Sequence, residues 1–302
     1  MNWIKDEVFG GNKMRNVISQ MLRTVNRIFV GTGVGKIPLI MKIYDFLYSY
    51  LKSGDIVLIK VQGHKMYIDM SDLKVSKELF MTGIHEKYVT KLFKRIVREG
   101  MTVVDLGAHI GYYTLLAAKL VGKNGKVFAF EPAPTNYSLL VKNIEANGYN
   151  NVIPVNKAVS NKIGTSKLFL APDNTSGHKL WNSYNSRESI DIEVTTLDEF
   201  FGNYDTKIDI IKMDIEGGEM AALQGMDNII RRNSDLKIIT EFWPKGIEGM
   251  GFSPTDFLNK LIEYGFKLYH INKQGVEPAD PACLIEICEK EGSINIYCEM
   301  VR

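Results

Sequence analysis

The sequence predicts an α/β fold built on an open, mostly parallel sheet, and three observations carry that expectation. Thr102–Leu106 is a short apolar, β-branched run that stops at a glycine, the pattern of a strand buried on both faces. Helical spacing over 112–121 and a second apolar run, Lys126–Phe130, follow at once, which makes a strand–helix–strand unit. The alternation then continues through 135–155 and again through 208–243.

Gly107 and Gly111 bracket the turn after the first of these strands. Glycine at both places lets the backbone turn sharply and lets a ligand press against it. The helix after the turn spaces Leu115, Leu116, Ala118 and Leu120 on its faces and ends at Gly122. Glu131 directly follows the second strand, so its carboxylate is expected beside the glycine turn, at the sheet edge where open α/β folds bind ligands. Dinucleotide folds use Gly-x-Gly-x-x-Gly with the helix N-terminus free for a pyrophosphate, but His109 stands at the second glycine of that pattern. A ligand without phosphate suits this turn better. A carboxylate with two acceptor oxygens, such as Glu131, suits the two hydroxyls of a ribose.

Upstream, residues 1–55 carry an excess of Lys and Arg, with Val17, Ile18, Met21, Leu22, Val25, Ile28 and Phe29 at helical spacing. A helical extension over 1–55 is therefore expected ahead of one large domain over 56–302. It reads either as a cap packed on that domain or as a basic amphipathic element that touches an anionic membrane. The stretch 31–36 imitates a phosphate-binding loop, but Val30 and Ile37 occupy the positions where that motif needs a glycine and a hydroxyl. A hairpin is expected over 56–70 and a helix from 87, with Glu86 placed to complement its N-terminus and His85 without an obvious partner.

Downstream, a helix over 135–146 stops at Asn147 and Gly148, and Val152–Val155 is a third strand. The turn after it carries the small Ala158, which leaves space for a flat ring. Residues 165–170 and 190–195 pair as a hairpin around a long polar loop holding Asn174, Ser176, His178, Trp181 and Tyr184. Such a loop serves as an acceptor wall or as a mobile lid. The strand from Ile208 runs into Asp214, Glu216 and Glu219. Asp214 and Glu216 share one face if the chain stays extended, and Glu219 opens a helix whose dipole it complements. A fifth core strand over 236–243 delivers a third acid, Glu241, to the same edge. Ser253 and Pro254 start a later helix, and 266–271 with 293–300 form a final antiparallel pair.

With 302 residues, 45% of them hydrophobic and 24% charged, the chain has the composition of a single large globular domain with an extension. A net charge of +2 argues against a general nucleic-acid binder. Cys283, Cys288 and Cys298 lack paired metal-site spacing and read as free thiols of a reducing compartment, so a cytoplasmic location is expected. No apolar run reaches the length of a membrane helix.

Asp105, Gly107, Gly111 and Glu131 resemble the cofactor half of the class I methyltransferases that use S-adenosylmethionine. The Asp214-Ile215-Glu216-Gly217-Gly218-Glu219 run after an Ile-Lys-Met strand, with Thr196-Leu197-Asp198-Glu199-Phe200 before it, resembles the FkbM family of methyltransferases. The resemblance covers roughly 63–268. His109 stands where that family has Asn, and its aromatic-Glu pair is His85-Glu86 here. The resemblance implies a doubly wound, Rossmann-like, seven-stranded mostly parallel sheet in the order 3-2-1-4-5-7-6, and O-methylation of a hydroxyl on a sugar, lipid or secondary metabolite. S-Adenosylmethionine would then be held by Glu86, Asp105, Gly107, His109, Gly111, Glu131 and Ala158. Asp214, Glu216 and Glu241 would form an acidic floor, one of them taking the acceptor proton or all of them holding a divalent cation such as magnesium. Two alternatives stay open at this point: a nicotinamide oxidoreductase on the same fold, and a cofactor-binding module without turnover.

Overall fold

A computed structural model describes residues 56–171, 174–182, 188–202, 204 and 206–300. The expected helices over 1–55 and Tyr184 lie outside these residues. The chain divides into two compact units, Met1–His85 and Glu86–Arg302.

In the first unit β1 (Ile56–Val61) and β2 (His64–Asp69) form an antiparallel hairpin with Val61 opposite His64. Its two-residue turn puts both Gln62 (φ 50) and Gly63 (φ 91) in the left-handed region, the hand that matches strand twist. Helix α1 (Val75–Thr82) ends at Gly83, whose φ of 68 is the usual left-handed stop. His85, for which the sequence offered no partner, lies against Glu78.

In the second unit α2 (Lys87–Ile96) precedes β3 (Thr102–Leu106), α3 (Tyr112–Val121), β4 (Lys126–Phe130), α4 (Pro134–Asn147) and β5 (Val152–Val155). A short β6 (Ala158–Val159) joins β7 (Gly164–Phe169) and β8 (Ser189–Thr195) in a separate three-stranded sheet. There follow α5 (Leu197–Phe200), β9 (Ile210–Met213), α6 (Glu219–Gln224), α7 (Asp227–Arg232), β10 (Lys237–Phe242), α8 (Pro244–Gly249), α9 (Pro254–Glu263), β11 (Phe266–Ile271), β12 (Val276–Pro278), α10 (Pro281–Glu291) and β13 (Ile294–Met300). The main sheet runs β12-β11-β13-β10-β9-β3-β4-β5. Its seven principal strands follow the expected order, and β12 adds an eighth at the edge, in a stretch where the sequence carried little signal. Strands β5, β4, β3, β9 and β10 are parallel, while β13 inserts antiparallel between β10 and β11.

The parallel strands are apolar because helices cover both faces. Val104, Leu106, Phe128, Ile211, Met213 and Phe242 are buried in one core with Leu223, Phe257, Leu258 and Leu284 from the helices. Strand order reverses between β3 and β9, so the crevice at their carboxyl ends is the place for a ligand. Ala158 lies in a short strand and not in an irregular turn. It belongs to β6, opposite Val194, and packs with Ala133, Leu168, Ile192 and Val194 in a second, smaller core.

Candidate active site

The glycine turn after β3 is fixed by backbone hydrogen bonds. Gly107 and Ala108 donate to the Phe130 carbonyl at 3.0 and 2.9 Å, and Asn143 Nδ2 of α4 holds the Ile110 carbonyl at 2.8 Å. Both glycines have left-handed backbones, φ 78 at Gly107 and φ 95 at Gly111. Protein packs against both: a Cβ on Gly107 would come within 1.9 Å of the Asp214 carbonyl oxygen, and one on Gly111 within 2.8 Å of Leu140 Cδ1. Gly107 therefore lets the β3 turn lie directly on the β9 turn.

Glu131 is buried at the end of β4. Its Oε2 accepts from His109 N at 2.8 Å, and its Oε1 from Ala133 N at 2.9 Å and Asn136 Nδ2 at 3.4 Å. Burial pushes its carboxyl up to about 7, against these hydrogen bonds. His109 itself is in the left-handed region (φ 50) and its Nε2 lies 2.8 Å from Thr175 Oγ1. Asp105 is buried beneath the turn and accepts from Thr114 Oγ1 at 2.6 Å, an anchor for the start of α3. Burial raises its carboxyl, opposed by Lys212.

On the other side of the crevice β9 carries Lys212, whose side chain is 3% exposed. Its Nζ is 2.9 Å from Asp214, 3.9 Å from Glu86 and 4.7 Å from the Tyr113 ring centroid. Burial alone would lower Lys212, but Asp214, Glu86 and Asp105 outweigh it and hold the ammonium well above the usual lysine value. Glu86 does not cap α2, which has no side-chain cap. Its own backbone is left-handed (φ 44), and its carboxylate turns inward to accept from Tyr113 Oη at 2.9 Å and Asn295 Nδ2 at 2.6 Å.

Asp214 and Glu216 do not share an extended face. Glu216 is left-handed (φ 54) and Gly217 (φ 102) packs on the Gly246 backbone, so the chain turns at Glu216 itself instead of staying extended through it. Asp214 faces Lys212, and Glu216 lies 3.7 Å from Lys179 Nζ. Glu219 is wholly buried. Its Oε1 accepts from Ile215 N at 3.1 Å and Gly217 N at 3.4 Å, bonding back to the loop, while Oε2 has no partner. Burial raises Glu219 to about 7. Glu241, next to last in β10, is raised to about 8 by burial and by Asp214, Glu216 and Glu219. The structure thus brings Asp214, Glu216 and Glu219 within electrostatic reach of Glu241, which is raised further than Glu219. Buried acids that hold a proton near neutrality are suited to proton transfer.

Lys212, Lys179, Tyr113, Asn136 and Asn295 were missed by sequence reasoning. Lys212 alone had a signal, a lone cation inside the apolar run Ile210–Met213, since lysine is almost never buried without partners.

Residues 105–268 match the family described as Methyltransferase FkbM domain. Over 92 residues the chain is 40% identical to a tRNA(Phe) (4-demethylwyosine(37)-C(7)) aminocarboxypropyltransferase of Methanocaldococcus jannaschii, covering 30% of this chain and 36% of that one. It is 27% identical over 148 residues to the hexuronic acid methyltransferase AglP of Haloferax volcanii, covering 48% of this chain and 58% of that one. The chain therefore spans well under the full length of either relative. A crystal structure of a putative rRNA-methylase from Clostridium thermocellum superposes with a TM-score of 0.45 at 15% identity, over 72% of this chain and 95% of that one. The family match extends from Asp105 on β3 to Leu268 on β11, more than half of the sequence, and the chain belongs to the FkbM-domain methyltransferase family.

Proposed function

We propose that the protein is an S-adenosylmethionine-dependent methyltransferase that acts on a hydroxyl of a sugar, lipid or secondary metabolite, with Glu241 taking the hydroxyl proton. The observation that carries this reading is the placement of Glu241 near the carboxyl end of β10, the parallel neighbour of the β9 strand that leads to Asp214, Glu216 and Glu219; burial and the charges of those acids push its carboxyl up to about 8. An alcohol is a poor nucleophile until its proton is removed, and a base that titrates near neutrality removes it most effectively.

The residues on the β3–β4 side fit the cofactor by their donor set. A carboxylate offers about four lone-pair sites, and the backbone and Asn136 fill three of those on Glu131, which leaves capacity for a ribose hydroxyl. When bound, the cofactor supplies a methyl group on a sulfonium and departs as the thioether S-adenosylhomocysteine. The acceptor oxygen gains the methyl group and gives its proton to Glu241, which returns it to solvent. Asp214 is occupied by Lys212, and it acts on Glu241 through its charge. Among the described residues no three His, Cys, Asp or Glu side chains are grouped to hold a metal ion. The Haloferax relative's hexuronic acid supports a sugar as the first acceptor to try.

The test pairs calorimetry with a transfer assay. S-Adenosylhomocysteine should bind and NAD should not, and labelled methyl should pass to hydroxyl acceptors from a panel headed by uronic acids. NAD binding tighter than S-adenosylhomocysteine would overturn the cofactor assignment. Transfer to nitrogen or carbon acceptors alone would overturn the hydroxyl.

A further inference from the structure

The segment 174–181 touches both sides of the crevice. At one end Thr175 meets the cofactor turn: its Oγ1 is 2.8 Å from His109 Nε2, and its carbonyl accepts from Asn136 Nδ2 at 2.8 Å. Four residues on, the Lys179 backbone pairs with Phe169 of β7 in both directions, at 2.8 and 3.1 Å, which pins the main chain and leaves the side chain to reach across. Lys179 Nζ lies 4.1 Å from the Trp243 ring centroid, 5.4 Å from that of Trp181 and 3.7 Å from Glu216, with the lysine side chain 7% exposed. Trp181 Nε1 donates to the Glu216 carbonyl at 3.2 Å. Both indoles rest on α8, where a Cβ on Gly246 would come within 2.2 Å of Trp243 and one on Gly249 within 2.6 Å of Trp181.

Two glycines of one short helix thus make room for two indoles, and the indoles with Glu216 surround a cation. Burying an ammonium is unfavourable unless it is paired, and an apolar side chain of similar length would fill the same space. What the charge adds is a fixed place for the Glu216 carboxylate, whose own left-handed backbone leaves it dependent on outside contacts. We propose that Lys179 is a positioning residue: with Trp181 and Trp243 it fixes Glu216 on the acceptor side of the crevice, and through Thr175 the same segment makes that arrangement respond to the cofactor. This rests on the assignment of the His109–Glu131 side to the cofactor made above.

The three tryptophans are Trp3, Trp181 and Trp243, so a Trp3→Phe background reports on the clasp alone. Acrylamide quenching of tryptophan emission is measured with and without saturating S-adenosylhomocysteine, and affinity is measured in parallel by calorimetry. In the background protein, S-adenosylhomocysteine should lower quenching. Lys179→Met should raise quenching of the free protein and abolish the response, with affinity changed by less than about threefold. Lys179→Arg should restore both. Thr175→Val should keep the quenching of the free protein and lose the response. If Lys179→Met fails to fold, Thr175→Val and Lys179→Arg carry the test. A Lys179→Met protein with background quenching and a full response would overturn the proposal, because the lysine would then be filler. So would background protein that binds S-adenosylhomocysteine with no change in quenching. Absence of binding in calorimetry would instead remove the cofactor assignment and this proposal with it.

Discussion

The two sides of the crevice are held by different kinds of contact. On the cofactor side Glu131 is fixed by the N–H groups of His109 and Ala133 and by Asn136, all within 22 positions of it in the chain. On the acid side Lys212 gathers Glu86 and Asp214, Glu86 reaches Asn295 across 209 positions, and Lys179 crosses from a segment bridged to β7 to reach Glu216. A carboxylate held by backbone donors stays in place when a neighbouring side chain changes. One held by a buried partner does not, because removal of either member leaves an uncompensated charge. The acid side should therefore be the more fragile in function, and the cofactor side the more fragile only where its backbone is disturbed.

The largest effect is expected from Glu241→Gln. Loss of the base should lower kcat by roughly 100-fold to 10,000-fold while S-adenosylhomocysteine affinity stays near wild type. In the wild type, the rate should rise with pH along a limb centred near 8, because Glu241 must be ionised to accept a proton. Stability runs the other way. Glu131, Glu219 and Glu241 have folded-state values raised to about 7, 7 and 8 from 4.5, so the native state holds more protons than the unfolded chain between those limits. Their contribution is full below the unfolded value and is lost as pH rises through 7 to 8. Denaturant midpoints at pH 5 and pH 8 should show that fall, and Glu241→Gln should flatten its upper part. A flat pH–rate profile with normal turnover in Glu241→Gln would move the base to another acid.

The same contrast explains what the sequence disclosed. The glycine turn and its neighbours were legible because they are local: the Gly107 and Gly111 turn, the apolar runs on either side and Glu131 just past β4 all lie within one strand–helix–strand unit. Strand order came from the family resemblance and not from the residues' own pattern, and the observed sheet follows it through its seven principal strands. The pairings of Asp214, Glu216 and Glu86 were not legible. They depend on left-handed backbone at Glu86 and Glu216, which no side-chain pattern announces in residues other than glycine. The neighbour of Gly107 was hidden for a related reason. The need for a glycine could be seen, but the atom that occupies its empty side, the Asp214 carbonyl, lies more than a hundred positions away.

Gly107→Ala tests where the two sides meet. The substituted Cβ would stand 1.9 Å from a backbone oxygen at a φ of 78, so neither the strain nor the clash has a cheap relief. A loss of about 3 kcal/mol or more in unfolding free energy is expected, with both cofactor affinity and turnover falling. Gly111→Ala meets only the end of the Leu140 side chain and should be the milder of the pair by denaturant unfolding. Equal costs at the two positions would mean that the β9 contact adds nothing.

Glu131→Ala should act on affinity and not on chemistry. It removes the acceptor for two backbone donors and for the ribose, a loss of roughly 1.5–3 kcal/mol for charge-assisted bonds, or tenfold or more in the dissociation constant for S-adenosylhomocysteine. At saturating cofactor kcat should recover most of its wild-type value. Failure to recover would show that Glu131 also orders the acid side.

The smallest effect is expected at Asp198, which belongs to the Thr196–Phe200 stretch that helped identify the family yet takes no part in either side of the crevice. Its carboxylate accepts from Asn228 N at 3.0 Å and Ile229 N at 2.9 Å, the first turn of α7. An acid there satisfies donors that a helix start leaves open and complements the dipole. Asp198→Ala should therefore lower stability by about 1 kcal/mol, and Tm by roughly 2–4 °C for a domain of this size. Asp198→Asn should lose less, because asparagine caps nearly as well. Neither substitution should move S-adenosylhomocysteine affinity or kcat when assayed well below Tm. A drop in kcat larger than the lost stability accounts for would show that capping is not all Asp198 does, since a cap acts on the fold and leaves the Glu241 carboxyl where it was.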